Sequence, residues 1–156
     1  MSIAPKVNLH ALAIDGKVDE MLLAFENSRE DMKSRMNEET SVDGLTPLHY
    51  ACRYGRLNVI NLLIDEGANI HSKATNGYTP FLELCANHQL QSLEYVYERY
   101  THQETPEVWA TFLNEKDNND NSCIHETVFA SKNNSKPACI STIRFLLEHD
   151  ADRNCR

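Results

Sequence analysis

Apolar residues come in short runs at helical spacing, each run closed by a glycine or a polar stretch. Val59, Ile60, Leu62 and Leu63 form such a run and predict one face of an amphipathic helix. Gly67 can end that helix in a left-handed conformation. A shorter helix is predicted just before it. Thr46 is suited to an N-cap, because its hydroxyl can satisfy a backbone N–H left open at the helix start. Pro47 then falls at the first helical position, where a missing N–H costs nothing. Ala51 and Cys52 are small, as two closely pressed helices require. Gly44 fits the tip of a tight hairpin, where positive φ is cheap for glycine.

The same layout recurs along the chain. Asp43-Gly44-Leu45-Thr46-Pro47-Leu48 returns as Asn76-Gly77-Tyr78-Thr79-Pro80-Phe81, and Gly44 to Gly77 is 33 residues. A weaker copy opens the chain with Leu9-His10-Ala11-Leu12-Ala13, Gly16 and Met21-Leu22-Leu23. Another runs from Asn114 through Asn121-Ser122-Cys123-Ile124-His125 to Phe145-Leu146-Leu147 and Asp150-Ala151-Asp152. There Asp120 replaces the glycine and Ser122-Cys123 the Thr-Pro, so a less regular turn is expected. Residues 43–71, with Thr46-Pro47-Leu48-His49, Leu62-Leu63 and Gly67-Ala68-Asn69, closely resemble an ankyrin repeat, and the period agrees. The resemblance implies an all-α solenoid of stacked helix-turn-helix units with β-hairpin-like loops. It covers one domain, 1–156, with four repeats near 5–37, 42–72, 75–114 and 118–154. It also implies that His49 ties neighbouring loops together by hydrogen bonds.

Departures from the period mark three inserts. The first lies near Ser28 to Asn37. The second lies near Thr101 to Trp109, where Thr105-Pro106-Glu107 starts a short extra helix, Pro106 to Leu113, with Val108, Trp109 and Phe112 facing inward. The third, Ser131 to Cys139, reads as a polar loop. All three are expected at the edges of the stack. Lys17, Asp19, Glu20, Glu26 and Arg29 can cap the first helix pair. The chain stops at Cys155-Arg156, where a further hairpin would begin: either a true end or a cut within a longer protein.

Charge and cysteine content narrow the setting. A net charge of −8 disfavours nucleic-acid and anionic-membrane partners and suits a basic protein better. Five scattered cysteines, Cys52, Cys85, Cys123, Cys139 and Cys155, are an odd number and read as free thiols. No signal peptide or membrane span is legible, so a cytoplasmic or nuclear protein is expected, or one in a host cytosol.

No catalytic signature stands out, and an enzyme is not expected. His49-x-x-Cys52 and Cys85-x-x-His88 have metal-pair spacing. The repeat places Cys52 and Cys85 in different layers, so neither metal nor cofactor is expected. The Asp117–Asp120 cluster lacks the spacing of a calcium loop and reads as a hairpin tip. By analogy with the family, hairpin tips and first-helix faces line a concave partner-binding groove. On this chain that selects Asp43, Leu45, Arg53, Tyr54, Asn76, Tyr78 and Asn87. Tyrosine and arginine there suit an interface core. Asn154, with Leu146 eight residues before it, is a candidate for asparaginyl hydroxylation. The function expected is an adaptor or inhibitor that binds a protein partner and is a monomer on its own. The rival is an ankyrin segment of a larger enzyme, channel or effector.

Overall fold

A computed structural model describes residues 7–40, 42–103, 106–131 and 136–149. The described residues form ten helices and no strand. In order they are α1 (Leu9–Asp15), α2 (Val18–Asn27), α3 (Arg29–Arg35), α4 (Pro47–Arg53), α5 (Leu57–Asp65), α6 (Pro80–Ala86), α7 (Leu90–Gln103), α8 (Pro106–Asn114), α9 (Cys123–Ala130) and α10 (Lys136–Glu148). Helices α1, α4, α6 and α9 pack side by side as one layer. Behind them, α2 packs on α5 and α10 on α7. None of the described helices is long and apolar enough to cross a membrane.

Local chemistry sets the starts of the front helices. The Thr46 side chain accepts from His49 N–H, and the His49 ring accepts from Thr46 N–H at 3.1 Å. Thr79 caps α6 by accepting from Leu82 N–H. At α9, Ser122 N–H donates to the His125 ring at 3.2 Å. The short front helices are further held by a shared core. Leu48, Ile60, Leu63, Leu82, Leu84, Leu93, Leu113 and Leu146 are fully buried. Each such side chain stabilises the fold by about 2 kcal/mol relative to exposure. Cys52, Cys85, Cys123 and Cys139 lie among them as free, buried thiols. Burial pushes the thiols of Cys52 and Cys123 well above their ordinary range, which removes their nucleophilicity.

The hairpin tips join sideways in a repeating register. Thr75 N–H donates to the Asp43 carbonyl at 2.9 Å, and Asn118 N–H to the Asn76 carbonyl at 3.1 Å. A Cβ on Gly77 would lie 2.6 Å from the Asn118 backbone nitrogen, so only glycine allows this approach at φ 84°. The tip at Asp120 corrects the sequence expectation of a less regular turn. Asp120 takes φ 68° and donates to the Asp117 carbonyl at 3.1 Å, as Gly77 does to Ala74 at 2.8 Å. The Asp117 carboxylate holds the turn, accepting from Asn119 N–H at 2.9 Å and Asn121 N–H at 2.8 Å. Side-chain bonds of this kind let a non-glycine residue occupy the left-handed region.

The first two inserts feed the core rather than only decorate its rim, the second as the helix with inward Trp109 and Phe112 that its cap signal predicts. Insert one is α3, which packs on α2 and buries Met32, with Met36 buried just beyond it. Insert two is α8, whose Trp109, Phe112 and Leu113 are buried. The Trp109 ring meets Phe81 edge-on at 5.2 Å and Tyr97 at 4.7 Å. The side chain of Val108 lies outside the described residues. Insert three is shorter than a loop from Ser131 to Cys139, since α10 begins at Lys136 and Cys139 is buried in it. Tyr95 lies on the back layer, where its hydroxyl donates to Asn61.

Candidate interaction surface

The front helices and the hairpin tips make one continuous face. Its tips are braced by histidine. The His49 ring donates through Nε2 to the Tyr78 carbonyl at 3.0 Å, and His10 Nε2 is shared between the Leu45 carbonyl at 3.2 Å and the Glu38 carbonyl at 3.0 Å. The bonds to Tyr78 and Leu45 reach the residue before the next helix cap. In α6 the matching position is Leu82, which cannot bridge to the next tip. The amide of Asn118 spans that junction instead, donating to the Thr75 carbonyl at 2.9 Å. Burial is the main force lowering the pKa of His49 below its ordinary value, so the ring is held neutral.

Val42, Asp43, Leu45, Arg53, Thr75 and Asn76 line a cleft of about 440 Å³ between two adjacent tips. Four of the residues selected from sequence, Asp43, Leu45, Arg53 and Asn76, therefore meet in one place. Their roles differ. Asp43, Asn76 and Val42 are exposed on the rim. Leu45 was expected to present its side chain to the groove. It is only 2 % exposed, because it sits under the hairpin and fills the cleft floor. Tyr54, 46 % exposed, stands at the C-terminal end of α4. Asn87 is exposed at the matching end of α6, and its amide donates to the Glu83 carbonyl at 2.9 Å. Asn154 lies outside the described residues.

Arg53 and Tyr78 are not free groups. Arg53 Nε donates to one oxygen of Glu83 at 3.1 Å, and its Nη2 to the other at 2.8 Å. This fork grips a carboxylate that is 1 % exposed, and the Glu83 bond is the main force raising the Arg53 pKa. The guanidinium also lies 5.7 Å from the centre of the Tyr50 ring. The Tyr78 hydroxyl donates to Glu126, and burial first, then that bond, pushes the phenol far above its usual range. Glu83 and Glu126 were not singled out from sequence. A signal existed: each is the fourth residue after its helix cap, and Glu83 stands within an otherwise apolar run. Among the described residues no group of three or more His, Cys, Asp or Glu side chains is placed to hold a metal ion.

Comparison with known proteins bears on this architecture. A family model for ankyrin repeats in three copies matches residues 9–108. The chain is 49 % identical over 39 residues to mouse (Mus musculus) 2-5A-dependent ribonuclease, which covers 25 % of the chain and 5 % of that protein. It is 31 % identical over 78 residues to human (Homo sapiens) BCL-6 corepressor-like protein 1, covering 50 % of the chain and 4 % of that protein. The chain thus spans only a small part of the length of the curated relatives it matches.

Proposed function

The chain belongs to the ankyrin-repeat family, a fold of non-catalytic interaction domains, and from that premise we propose that it is an adaptor or inhibitor binding a partner protein across its concave face. One observation carries the reading. Exposed Asp43 and Asn76 line a cleft, with exposed Tyr54 at the end of α4 beside Arg53, on a frame whose tips at 43, 76 and 118 are cross-tied, so little ordering entropy opposes binding there. Val42 adds an apolar edge and Asn87 a polar one. Leu45, Arg53 and Tyr78 support that surface from below. We place four repeats in one domain, with the α9–α10 pair as the fourth, and a cytoplasmic setting for the whole.

The test compares wild type with a Tyr54→Ala, Asn76→Ala variant in affinity capture, each checked for folding by circular dichroism. Both residues are exposed, and because Asn76 Oδ1 also accepts from Tyr78 N–H at 3.0 Å, an Asn76→Asp control keeps that tip acceptor. A partner held by wild type and lost by the variant supports the groove. Equal capture by both moves the contact to another face. A second reading, that this is the ankyrin segment of a larger protein, draws on the length of the relatives. Intact mass of the native gene product decides it.

A further inference from the structure

The repeats carry an internal template for a salt bridge, and one junction lacks half of it. Glu83 and Glu126 hold the same position in α6 and α9. At the first of these junctions the preceding helix supplies Arg53, whose fork closes on Glu83. At the second junction the residue in register with Arg53 is Ala86, whose methyl cannot reach or neutralise anything. Glu126 is 7 % exposed, yet among the described residues its hydrogen-bond partner is the Tyr78 hydroxyl alone. That bond uses one carboxylate oxygen, Oε2. No cation faces the other oxygen, Oε1, among the described residues. A carboxylate this buried strongly favours a positive partner with paired donors.

We propose that the exposed end of the α6–α9 junction is a seat for a guanidinium side chain of the partner protein, with Glu126 as its counter-ion and Ala86 in the register position that Arg53 fills one repeat earlier. This rests on the reading of the concave face as the partner surface and gives that partner its chemistry: an arginine on a segment lying across the third and fourth helix pairs. Exposed Asn87 stands beside the seat and Phe129 at the matching end of α9, so an aliphatic arginine stem has an aromatic neighbour. The overall charge of −8 favours a basic segment.

The test is a 15N-resolved NMR titration of the whole chain with acetyl-arginine methylamide, beside its neutral isostere acetyl-citrulline methylamide. The expected result is saturable shifts at amides 86–87 and 126–129 with arginine and none with citrulline. Glu126→Gln keeps an acceptor for Tyr78 and removes only the charge, and it should abolish the response. Ala86→Arg should build the missing fork within the chain. It should raise the melting temperature relative to Ala86→Arg, Glu126→Gln and also abolish the response. Equal responses to both probes, an undiminished response in Glu126→Gln, or no saturable shift at all would overturn the proposal. A captured partner that is lost on Tyr54→Ala, Asn76→Ala but held by Glu126→Gln would leave the groove reading standing and this one refuted.

Discussion

One buried and one half-buried polar residue, His49 and Arg53, govern the chemistry of this chain at the scale of single side chains. His49 is neutral in the folded state because burial opposes its charge, and its Nε2 proton is committed to the Tyr78 carbonyl. The folded chain therefore protonates His49 below its ordinary value of 6.5, while the unfolded chain protonates it near that value. The contribution of this group to stability is whole above pH 6.5 and is lost as pH falls below it toward the folded value. His88, also lowered by burial, acts in the same direction. Urea midpoints should fall on acidification through that range, and the His49 ring resonances should titrate below 6.5. A midpoint that stays level across it would contradict the assignment. Arg53 presents the other case. Arg53→Ala strands the Glu83 carboxylate, and because the guanidinium is partly exposed the cost is about 2 kcal/mol, between the surface and buried limits. Removing both partners, as Arg53→Met with Glu83→Leu, should recover most of that loss in the same denaturation assay.

Elements that break the period are structural parts. Helix α8 inserts between α7 and the third tip and brings Trp109 against Phe81 and Tyr97. Trp109→Ala should cost roughly 3 kcal/mol through the cavity it leaves, read as a lower melting temperature by circular dichroism. A cost near zero would mean that α8 rests on the stack without belonging to its core. Helix α3 does the equivalent for the first pair through Met32 and Met36. The turn after α6 has a rule-breaking residue: His88 takes φ 54° where the repeat before it has Gly55 at 61°. Both His88 ring nitrogens are buried with no hydrogen-bond partner among the described residues.

Across the whole molecule, the stack gives a stiff face whose working residues are few. Tyr54→Ala with Asn76→Ala should weaken a groove-bound partner at least tenfold, or about 1.4 kcal/mol, with the melting temperature little changed. Titration calorimetry at two ionic strengths extends the test. A basic partner drawn to an acidic chain should bind more weakly at high salt. Affinity indifferent to salt would point to an apolar contact made through Val42 and Tyr54. Arg53→Glu would not serve as a surface variant, since it sets a second carboxylate against buried Glu83 and should destabilise the fold.

The repeat period, the Thr-Pro caps and the apolar stripes were legible in the sequence because they are local: each depends on a few residues at set spacing. From them follow the helix pairs, their order, and the position of the tips and front faces. The helix at Pro106 was legible for the same reason, through its cap signal. Side-chain pairing between repeats was not. Whether Leu45 lies over or under a hairpin, and whether Arg53 faces solvent or Glu83, depends on residues about 30 positions away that only stacking brings near. Spacing can say that a tyrosine and a glutamate share a layer. It takes the packed layers to show that Tyr78 and Glu126 share a hydrogen bond while Ala86, in place of an arginine, leaves that carboxylate without a cation among the described residues.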